Sequence, residues 1–293
     1  MIQVIMVIGA GTMGHGIAAQ AARYGYQVHL FDPYADSINL ARQKIDKIYQ
    51  IAIKKNKMTT DEVALSVQRL SFHTATSLDA LASLDDFATH LDLVIEAVPE
   101  KLALKQKLLA TMEQKVSDEC ILATNTSSLS INRIAAALQK PQRCIGLHFF
   151  NPVAVMSLLE IVTADQTSEV VAQACKAWGE SVLKTPIMVK DSPGFATSRL
   201  GIALGNEAMR IYQEGVASAE DIDRAMVLGY RHPIGPLALS DLVGLDIRLA
   251  ISEYLYAELG SDAFDPPQIL KDKVARGECG KKSGQGFYKY SQD

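Results

Sequence analysis

The stretch IQVIMVIGAGTMGHGIAAQAARYG at residues 2–25 decides the fold of this chain. An apolar run at 2–8 leads into the glycine turn GAGTMG at 9–14, and apolar residues at helical spacing then continue as far as Gly25. A second apolar run, QVHLF, ends just before Asp32. Strand, glycine turn, helix and strand in this order predict a βαβ unit that binds a dinucleotide.

The glycines and the acidic residue each have a separate role in such a unit. Gly9 allows a tight turn, Gly11 lets backbone N–H groups approach a diphosphate, and Gly14 lets the helix pack close to the strand. The N-terminus of the helix then presents its partial positive charge to the diphosphate. Asp32 lies 18 residues beyond Gly14, near the spacing expected for a carboxylate that hydrogen-bonds the ribose hydroxyls.

The residues around Asp32 indicate which dinucleotide is bound. Its carboxylate would repel the 2′-phosphate of NADP, and the following Pro33-Tyr34-Ala35 provides no Arg to bind that phosphate. FAD shares the glycine fingerprint, but no further segment that would hold the flavin ring is visible. We therefore expect NAD, and we assign Thr12 and Met13 of the turn to the same site.

Short apolar runs alternate with helical stretches up to about residue 190, which is typical of a sheet covered by helices. Runs such as LVIEAV and ILAT lack polar alternation, as expected of parallel strands buried on both faces. The predicted strands are residues 2–8, 27–31, 68–73, 92–97, 120–124, 143–149, 157–163 and 184–189. The segment at about 35–67 exceeds what a crossover needs and predicts a projecting helical hairpin. The predicted fold is α/β, with a Rossmann-like, doubly wound and mostly parallel sheet.

Strand signals fade beyond Asp191, where SPGF supplies a turn. Helical spacing follows at 196–214, 219–229 and 237–258. We therefore predict an NAD-binding domain at 1–190 and an all-α C-terminal domain at 191–293 that binds substrate. The C-terminal helices carry apolar residues around much of their circumference, which favours a subunit interface and hence a homodimer. A buried central helix is the alternative explanation.

Composition and charge exclude several classes of function. The net charge is −4 and the Lys and Arg residues are scattered, so the chain lacks the basic face that nucleic-acid binding requires. The N-terminal apolar run lacks a basic leader and is interrupted by Gly9 and Gly11 far short of a membrane span. The four cysteines form no CxxC pair, which favours reduced thiols. We expect a cytoplasmic protein without a metal site and without nucleic-acid or membrane partners.

Oxidation of an alcohol by a nicotinamide needs a base for the hydroxyl proton. His148 ends the apolar strand RCIGLHFF, at an edge of the sheet where ligands bind, and the other five histidines lack a second polar feature. Glu160 lies within the apolar run SLLEIVT, and a buried carboxylate needs a partner. Both are equidistant from Ala154, so two strands that fold back on each other would pair them as a catalytic dyad. Alternatively, His148 caps a strand and Glu160 pairs with a lysine or arginine.

A third polar feature, the segment Asn125-Thr126-Ser127-Ser128, follows the strand CILAT at another carboxyl end. A hydroxyl group in this segment could bind the reacting oxygen. A Ser or Thr cap on a helix that begins near Leu129 explains the same residues equally well. The residues alone therefore leave the role of this segment open.

Together these residues make the chain resemble the L-3-hydroxyacyl-CoA dehydrogenases, most closely the short bacterial 3-hydroxybutyryl-CoA dehydrogenases. The resemblance covers nearly the whole chain. It is carried by seven motifs in order: GAGTMGHGIA at 9–18, EAVPE at 96–100, TNTSSL at 124–129, GLHFFNPV at 146–153, DSPGF at 191–195, GPLALSDLVGLD at 235–246 and GKKSGQGFY at 280–288. It implies NAD as the cofactor and an acyl-CoA as the substrate.

The resemblance also implies roles for single residues. His148 and Glu160 match the catalytic pair, and Ser127 matches a serine that contacts both cofactor and substrate. The further cofactor contacts that it implies are Ala97, Glu100, Lys105, Asn151 and Lys282. They would complete the site around the nicotinamide half of the cofactor.

Two positions depart from the family pattern. Many members have an Asn at the position of Ser198, which is a shorter donor that could still bind the substrate carbonyl, directly or through water. In the helical hairpin, where the family receives CoA, Lys55 matches a basic contact, but the accompanying Ser is replaced by Ile48. Lys54 and Lys55 are therefore the candidate CoA contacts, and a solvated face explains them equally well.

The expected reaction is the reversible, NAD-dependent oxidation of an (S)-3-hydroxyacyl-CoA, with His148 as the proton acceptor. The stereochemistry and the thioester come from the resemblance. One alternative is a dehydrogenase of a free hydroxy or sugar acid, similar to L-gulonate dehydrogenase. Another is a non-catalytic dinucleotide-binding protein, similar to lambda-crystallin, although the intact Ser127, His148 and Glu160 argue against it.

Overall fold

Eight strands form one sheet in the computed structural model, which describes residues 2–75 and 85–291. The strands are β1 (Val4–Ile8), β2 (Gln27–Phe31), β3 (Leu70–His73), β4 (Leu93–Glu96), β5 (Ile121–Thr124), β6 (Cys144–Phe149), β7 (Leu158–Thr163) and β8 (Thr185–Lys190). Their order is β3-β2-β1-β4-β5-β6-β7-β8. β1 to β6 are parallel, β7 is antiparallel to β6, and β8 is parallel to β7. Each strand matches a predicted apolar run, so the mostly parallel sheet is confirmed.

Apart from β6 and β7, which no helix separates, consecutive strands are joined by helices. Among the described residues they are α1 (Gly14–Arg23), α2 (Ala35–Lys54), α3 (Thr60–Gln68), α4 (Asp85–Ala88), α5 (Leu102–Glu113), α6 (Ile131–Ala135) and α7 (Glu169–Ser181). The long α2 and the shorter α3 lie where the helical hairpin was predicted. α3 begins at a capping box, in which Thr59 and Glu62 each accept a backbone N–H of the other. This cap fixes the point at which the hairpin turns.

The core of this part of the chain lies on the central strands. Ile5, Val7 and Leu93 are wholly buried, because parallel strands between helices have no face toward solvent. Ile17 and Ala18 of α1 belong to the same buried cluster. Burial of one Ile, Val or Leu side chain contributes about 1.5–3 kcal/mol, so these strands give the polar residues at their carboxyl ends a rigid support.

The chain divides into two compact units, Met1–Ser192 and Pro193–Asp293. The helices described in the second unit are α8 (Thr197–Gln213), α9 (Ala219–Gly229), α10 (Pro236–Val243), α11 (Leu245–Leu259) and α12 (Gln268–Ala275). The prediction of one continuous helix over 237–258 is wrong. The backbone breaks at Gly244, whose φ of 107° is a conformation that residues with a Cβ rarely adopt.

The structure shows the state of the cysteines and the character of the helices. All four cysteines are free thiols, and burial raises the pKa of Cys120, Cys144 and Cys175 to about 12, which makes these three unreactive. Within residues 2–75 and 85–291, every helix is too short or too polar to cross a lipid bilayer.

Candidate active site

The turn between β1 and α1 leaves no room for a side chain at two of its three glycines. Gly9 has a φ of 101°, and a Cβ there would lie 2.7 Å from the carbonyl oxygen of Ala97. A Cβ on Gly14 would lie 1.7 Å from the carbonyl oxygen of Gly9. Both distances are shorter than any real contact, so the turn and the close packing of α1 require glycine.

Gly11, by contrast, faces open space, since a Cβ there would meet no atom within 4 Å. The first turn of α1 has no side-chain cap and, apart from the His15 N–H, which donates to the Gly11 carbonyl at 3.3 Å, this helix end can present N–H groups to an anion. Directly after β2, the Asp32 carboxylate accepts the N–H of Ala10 at 2.9 Å and that of Tyr34 at 3.0 Å. It is thereby fixed beside the turn and keeps lone pairs for further donors. These residues fit the diphosphate and ribose of a dinucleotide.

The antiparallel pairing of β6 and β7 places His148 directly opposite Glu160. His148 Nδ1 lies 2.7 Å from Glu160 Oε2. Glu160 is wholly buried, and His148 is 7% exposed. Because a carboxylate only accepts, Nδ1–H is the donor, which leaves Nε2 as the ring nitrogen that can take a proton. The cross-strand pair expected from the spacing about Ala154 is therefore present.

A cavity of about 360 Å³ lies at the carboxyl ends of the strands. It is lined by Met13, Ala97, Val98, Glu100, Asn125, Ser127, His148, Phe149, Phe150 and Asn151. The Phe150 ring packs against the imidazole of His148 at a centroid distance of 4.4 Å. The cavity thus brings the histidine together with the glycine turn and with several of the predicted cofactor contacts.

Ser127 follows the carboxyl end of β5 and is exposed, and its backbone N–H donates to Glu100 Oε1 at 3.1 Å. The helix that was expected near Leu129 begins at Ile131 instead, and its cap is Ser130, whose hydroxyl accepts the N–H of Arg133. Ser127 is therefore not the helix cap. Ser127 lines the cavity that also holds His148.

Glu100 organises the segment that carries Ser127. Its Oε1 accepts the hydroxyls of Thr126 and Ser128 as well as the Ser127 N–H, and its Oε2 lies 3.2 Å from Lys105 Nζ. Burial alone would raise the pKa of Glu100. The Lys105 ammonium and the hydrogen bonds from Thr126 and Ser127 outweigh burial and lower it, so this carboxyl group is ionised at neutral pH.

Lys105 was predicted to contact the cofactor, but it does not line the cavity. It is wholly buried, and its Nζ lies 2.8 Å and 3.0 Å from the two carboxylate oxygens of Glu96. It also donates to the carbonyl of Val98 at 3.3 Å. The Thr124 hydroxyl donates to Glu96 at 2.6 Å. Lys105 therefore contacts two residues that line the cavity, Glu100 and Val98.

The two candidate CoA contacts at the end of α2 differ in their positions. Both lysines are exposed. Lys55 borders a small cavity of about 70 Å³ between α1 and α2, together with Arg23 and Lys57, whereas Lys54 is not among its lining residues. The structure thus gathers three cations around one opening, with Lys54 beside it.

Two predicted site residues, Ser198 and Lys282, belong to the second unit. Ser198 is half-buried in the first turn of α8. Lys282 Nζ lies 2.6 Å from Asp246 Oδ2, and both side chains are substantially exposed. Lys282 is therefore held by an acidic partner within its own unit.

Two features of the first unit were missed at the level of sequence. Glu96 ends the apolar run LVIE much as Glu160 interrupts SLLEIVT, so the rule that a buried carboxylate needs a partner would have identified it. His29 and His73 were taken to lack a polar partner, but His29 Nδ1 lies 2.9 Å from His73 Nε2. The contact between the two histidines follows from the pairing of β2 with β3, which the sequence does not show.

Family models match nearly the whole chain. Residues 4–192 match the model described as 3-hydroxyacyl-CoA dehydrogenase, NAD binding domain, and residues 194–290 match the model described as 3-hydroxyacyl-CoA dehydrogenase, C-terminal domain. The two models meet where the structure divides into its two units.

Individual proteins are similar over their full length. A probable 3-hydroxybutyryl-CoA dehydrogenase of Bacillus subtilis is 41% identical over 99% of this chain and 98% of its own length. A 3-hydroxybutyryl-CoA dehydrogenase of Mycobacterium tuberculosis is 40% identical over 99% of both chains. The crystal structure of (S)-3-hydroxybutyryl-CoA dehydrogenase from Ralstonia eutropha superposes with a TM-score of 0.92, at 40% identity and with complete coverage of both chains.

Proposed function

Since this chain belongs to the 3-hydroxyacyl-CoA dehydrogenase family, we propose that it catalyses the reversible, NAD-dependent oxidation of an (S)-3-hydroxyacyl-CoA to the 3-ketoacyl-CoA. The names of its relatives make 3-hydroxybutyryl-CoA the proposed substrate. The observation that carries the mechanism is the His148–Glu160 pair, buried at 2.7 Å beside a cavity that also reaches the glycine turn.

His148 is the proposed base. The hydroxyl proton at C3 moves to Nε2, the C3–H bond breaks as the carbonyl forms, and bound NAD supplies the acceptor for the hydride. Glu160 holds the ring through Nδ1–H and stabilises the imidazolium that results. The hydroxyls of Ser127 and Ser198 are the proposed donors to the C3 oxygen, whose charge they would stabilise. In the reverse direction, His148 returns the proton to that oxygen.

The first unit supplies most of the proposed cofactor site. Gly9, Gly11 and Gly14 shape the turn for the diphosphate, with Thr12 and Met13 between them, and Asp32 faces the adenosine ribose. Residues of the cavity would surround the nicotinamide half, namely Ala97, Glu100, Ser127 and Asn151. Lys105 supports this half through Glu100, and Lys282 is the proposed contact from the second unit.

The CoA contacts are proposed at the end of α2. Lys55 shares its small cavity with Arg23 and Lys57, and a cluster of cations suits the phosphates of CoA. Lys54 is the neighbouring candidate. We expect Lys55→Ala to raise KM for the thioester substrate and to leave the Kd of NADH unchanged.

A homodimer is proposed through the second unit. Leu200, Leu242 and Ile247, on α8, α10 and α11, are 71%, 57% and 44% exposed, and such surfaces favour association. Light scattering should give twice the chain mass of 31.8 kDa, and Leu242→Asp should reduce it. A wild-type mass of one chain would contradict the dimer.

A cytoplasmic location is also proposed. It is supported by the four free thiols, because disulfides form in oxidising compartments. Immunodetection after cell fractionation tests it, and recovery outside the cytoplasm would overturn it.

The decisive assay measures NADH absorbance with acetoacetyl-CoA and, in parallel, with free acetoacetate. The CoA half provides binding energy that is used in the transition state, so we expect kcat/KM to be roughly 100-fold higher for the thioester. Comparable values for the free acid would favour the alternative of a free hydroxy-acid dehydrogenase. NADH binding without any turnover would favour a non-catalytic protein.

A further inference from the structure

One lysine in the first unit is shared between two carboxylates. Lys105 Nζ lies 2.8 Å from Glu96 Oε1 and 3.2 Å from Glu100 Oε2. Two negative groups therefore face one positive group. The formal charges of this three-membered cluster sum to −1.

The two carboxylates of the cluster occupy different environments. Glu96 is wholly buried and also accepts the Val98 N–H at 2.6 Å and the Thr124 hydroxyl at 2.6 Å. The side chain of Glu100 is 36% exposed and lines the cavity that holds His148. The buried member thus contacts the ammonium through both oxygens, and the exposed member presents its charge to the cavity.

The nicotinamide ring must lie in this same cavity if the proposed function is correct, on which this step rests. The carbon that gives up the hydride bears the oxygen whose proton goes to His148, so the ring and the imidazole must both be within reach of that carbon. Glu100 and His148 line one cavity of about 360 Å³. The charge of Glu100 therefore acts on the ring across this cavity.

The ring changes charge during the reaction. It is a cation in NAD⁺ and neutral in NADH, so a negative charge nearby stabilises the oxidised form relative to the reduced form. Full neutralisation of Glu100 by Lys105 would remove this discrimination. Glu96 prevents that neutralisation because it is the nearer partner of the same ammonium.

We propose that Glu96 is a positioning residue that sets the preference of the site for NAD⁺ over NADH. By holding Lys105, it leaves the carboxylate of Glu100 negatively charged toward the nicotinamide. Removal of the Glu96 charge releases Lys105 to Glu100, which neutralises the cavity and weakens the binding of NAD⁺ relative to NADH.

Glu96→Gln tests the proposal by the Kd of NADH, from fluorescence titration, and the Kd of NAD⁺, from competition. One unit charge acting over roughly 15 Å at an effective dielectric constant of about 20 changes a binding ratio about sixfold. We expect the ratio of Kd(NAD⁺) to Kd(NADH) to rise by about that factor. A general loss of structure would weaken both cofactors together and leave the ratio unchanged.

Two control variants separate charge from packing. Glu113 lies on the same helix, about 12 Å along its axis from Lys105, and forms a similarly buried pair with Arg143. Glu113→Gln removes a buried carboxylate away from the cavity, and because the extra distance exceeds a Debye length of about 8 Å at physiological salt, it should leave the ratio within about twofold of wild type. Thr124→Val removes the hydrogen bond to Glu96 but no charge, and it should do the same. A sixfold change in either variant would overturn the charge argument.

Glu100→Gln is the second test, because this residue is partly exposed and its replacement does not leave an unpaired charge in the core. It also brings the cluster to neutrality and should raise the same ratio. An unchanged ratio in both Glu96→Gln and Glu100→Gln, with wild-type turnover of acetoacetyl-CoA intact, would overturn this inference and leave the proposed function standing. Absence of turnover in the wild type would instead contradict the proposed function.

Discussion

Both units bury carboxylates, but the groups that satisfy them differ. In the first unit, Asp32 accepts backbone N–H groups, but Glu160 meets an imidazole and Glu96 meets an ammonium, so these two glutamates face a group that carries or can gain a positive charge. In the second unit, Asp223 and Asp241 are also buried, and the partners described for them are backbone N–H and tyrosine hydroxyl groups. A carboxylate beside a charged partner can stabilise a proton on that partner or control the electrostatic field at a nearby ligand. One that meets neutral donors holds the chain in place.

In the second unit, Asp241 holds the segment at 286–290 by hydrogen bonds. Asp241 accepts the N–H groups of Phe287 and Tyr288 at 3.0 Å and 2.9 Å, and the hydroxyl of Tyr290 at 3.1 Å. A Cβ on Gly286 would lie 2.1 Å from the same carboxylate, which explains a glycine there. The glycine-rich motif at 280–288 is thus held by Asp241, whatever further role Lys282 has.

The largest effect in this comparison is expected at the imidazole. His148→Gln removes the proton acceptor, and kcat should fall by about 10³- to 10⁴-fold, while the Kd of NADH changes little because the glycine turn and Asp32 are untouched. Steady-state kinetics and fluorescence titration measure the two quantities. Retained turnover would remove His148 from the mechanism.

Replacement of Glu160, the buried partner of the imidazole, should have the second largest effect. Glu160→Gln keeps the shape of the side chain, but its amide can donate to Nδ1 and so favour the tautomer that carries its proton on the catalytic nitrogen. We expect kcat to fall by about 10²- to 10³-fold with the Kd of NADH near wild type. A loss of less than about fivefold would place Glu160 with the carboxylates that serve only structure.

In the second unit, replacement of a buried carboxylate should reduce stability and leave cofactor binding unchanged. Asp241→Asn turns one acceptor atom into a donor against the backbone N–H groups that it now accepts, which should lower the free energy of unfolding by about 2–4 kcal/mol. Urea denaturation measures this loss. The folded fraction should keep the wild-type Kd of NADH, and a selective loss of NADH binding would break the distinction between the two units.

Much of the first unit could be predicted because its signals are local. The residues of the glycine turn are contiguous in sequence, and apolar runs of strand length predicted all eight strands. The His148–Glu160 pair followed from symmetry about one turn, since antiparallel neighbours in sequence are neighbours in space.

The remaining features depend on contacts between segments that are distant in the chain or on the backbone. Lys105 reaches Glu96 only because the start of α5 packs beside the end of β4. Asp241 contacts residues 46 and 47 positions later in the sequence. The break at Gly244 depends on one dihedral angle within an otherwise continuous apolar pattern. Neither periodicity nor motif spacing contains this information.

The smallest expected effect concerns a histidine whose partner is another histidine. His29 Nδ1 lies 2.9 Å from His73 Nε2 and its ring stacks on Phe87 at 3.9 Å, and burial, with repulsion from His73, lowers the pKa of His29 to about 4. The unfolded chain, with an ordinary value of 6.5, binds more protons below that pH, so the free energy of unfolding should fall as pH decreases from 6.5 to 4. In His29→Gln this fall should be smaller by about 2 kcal/mol, whereas replacement of the exposed His90 by Gln should leave it unchanged. Equal slopes in wild type and His29→Gln would show that a histidine pair without a carboxylate has no influence on stability in this range.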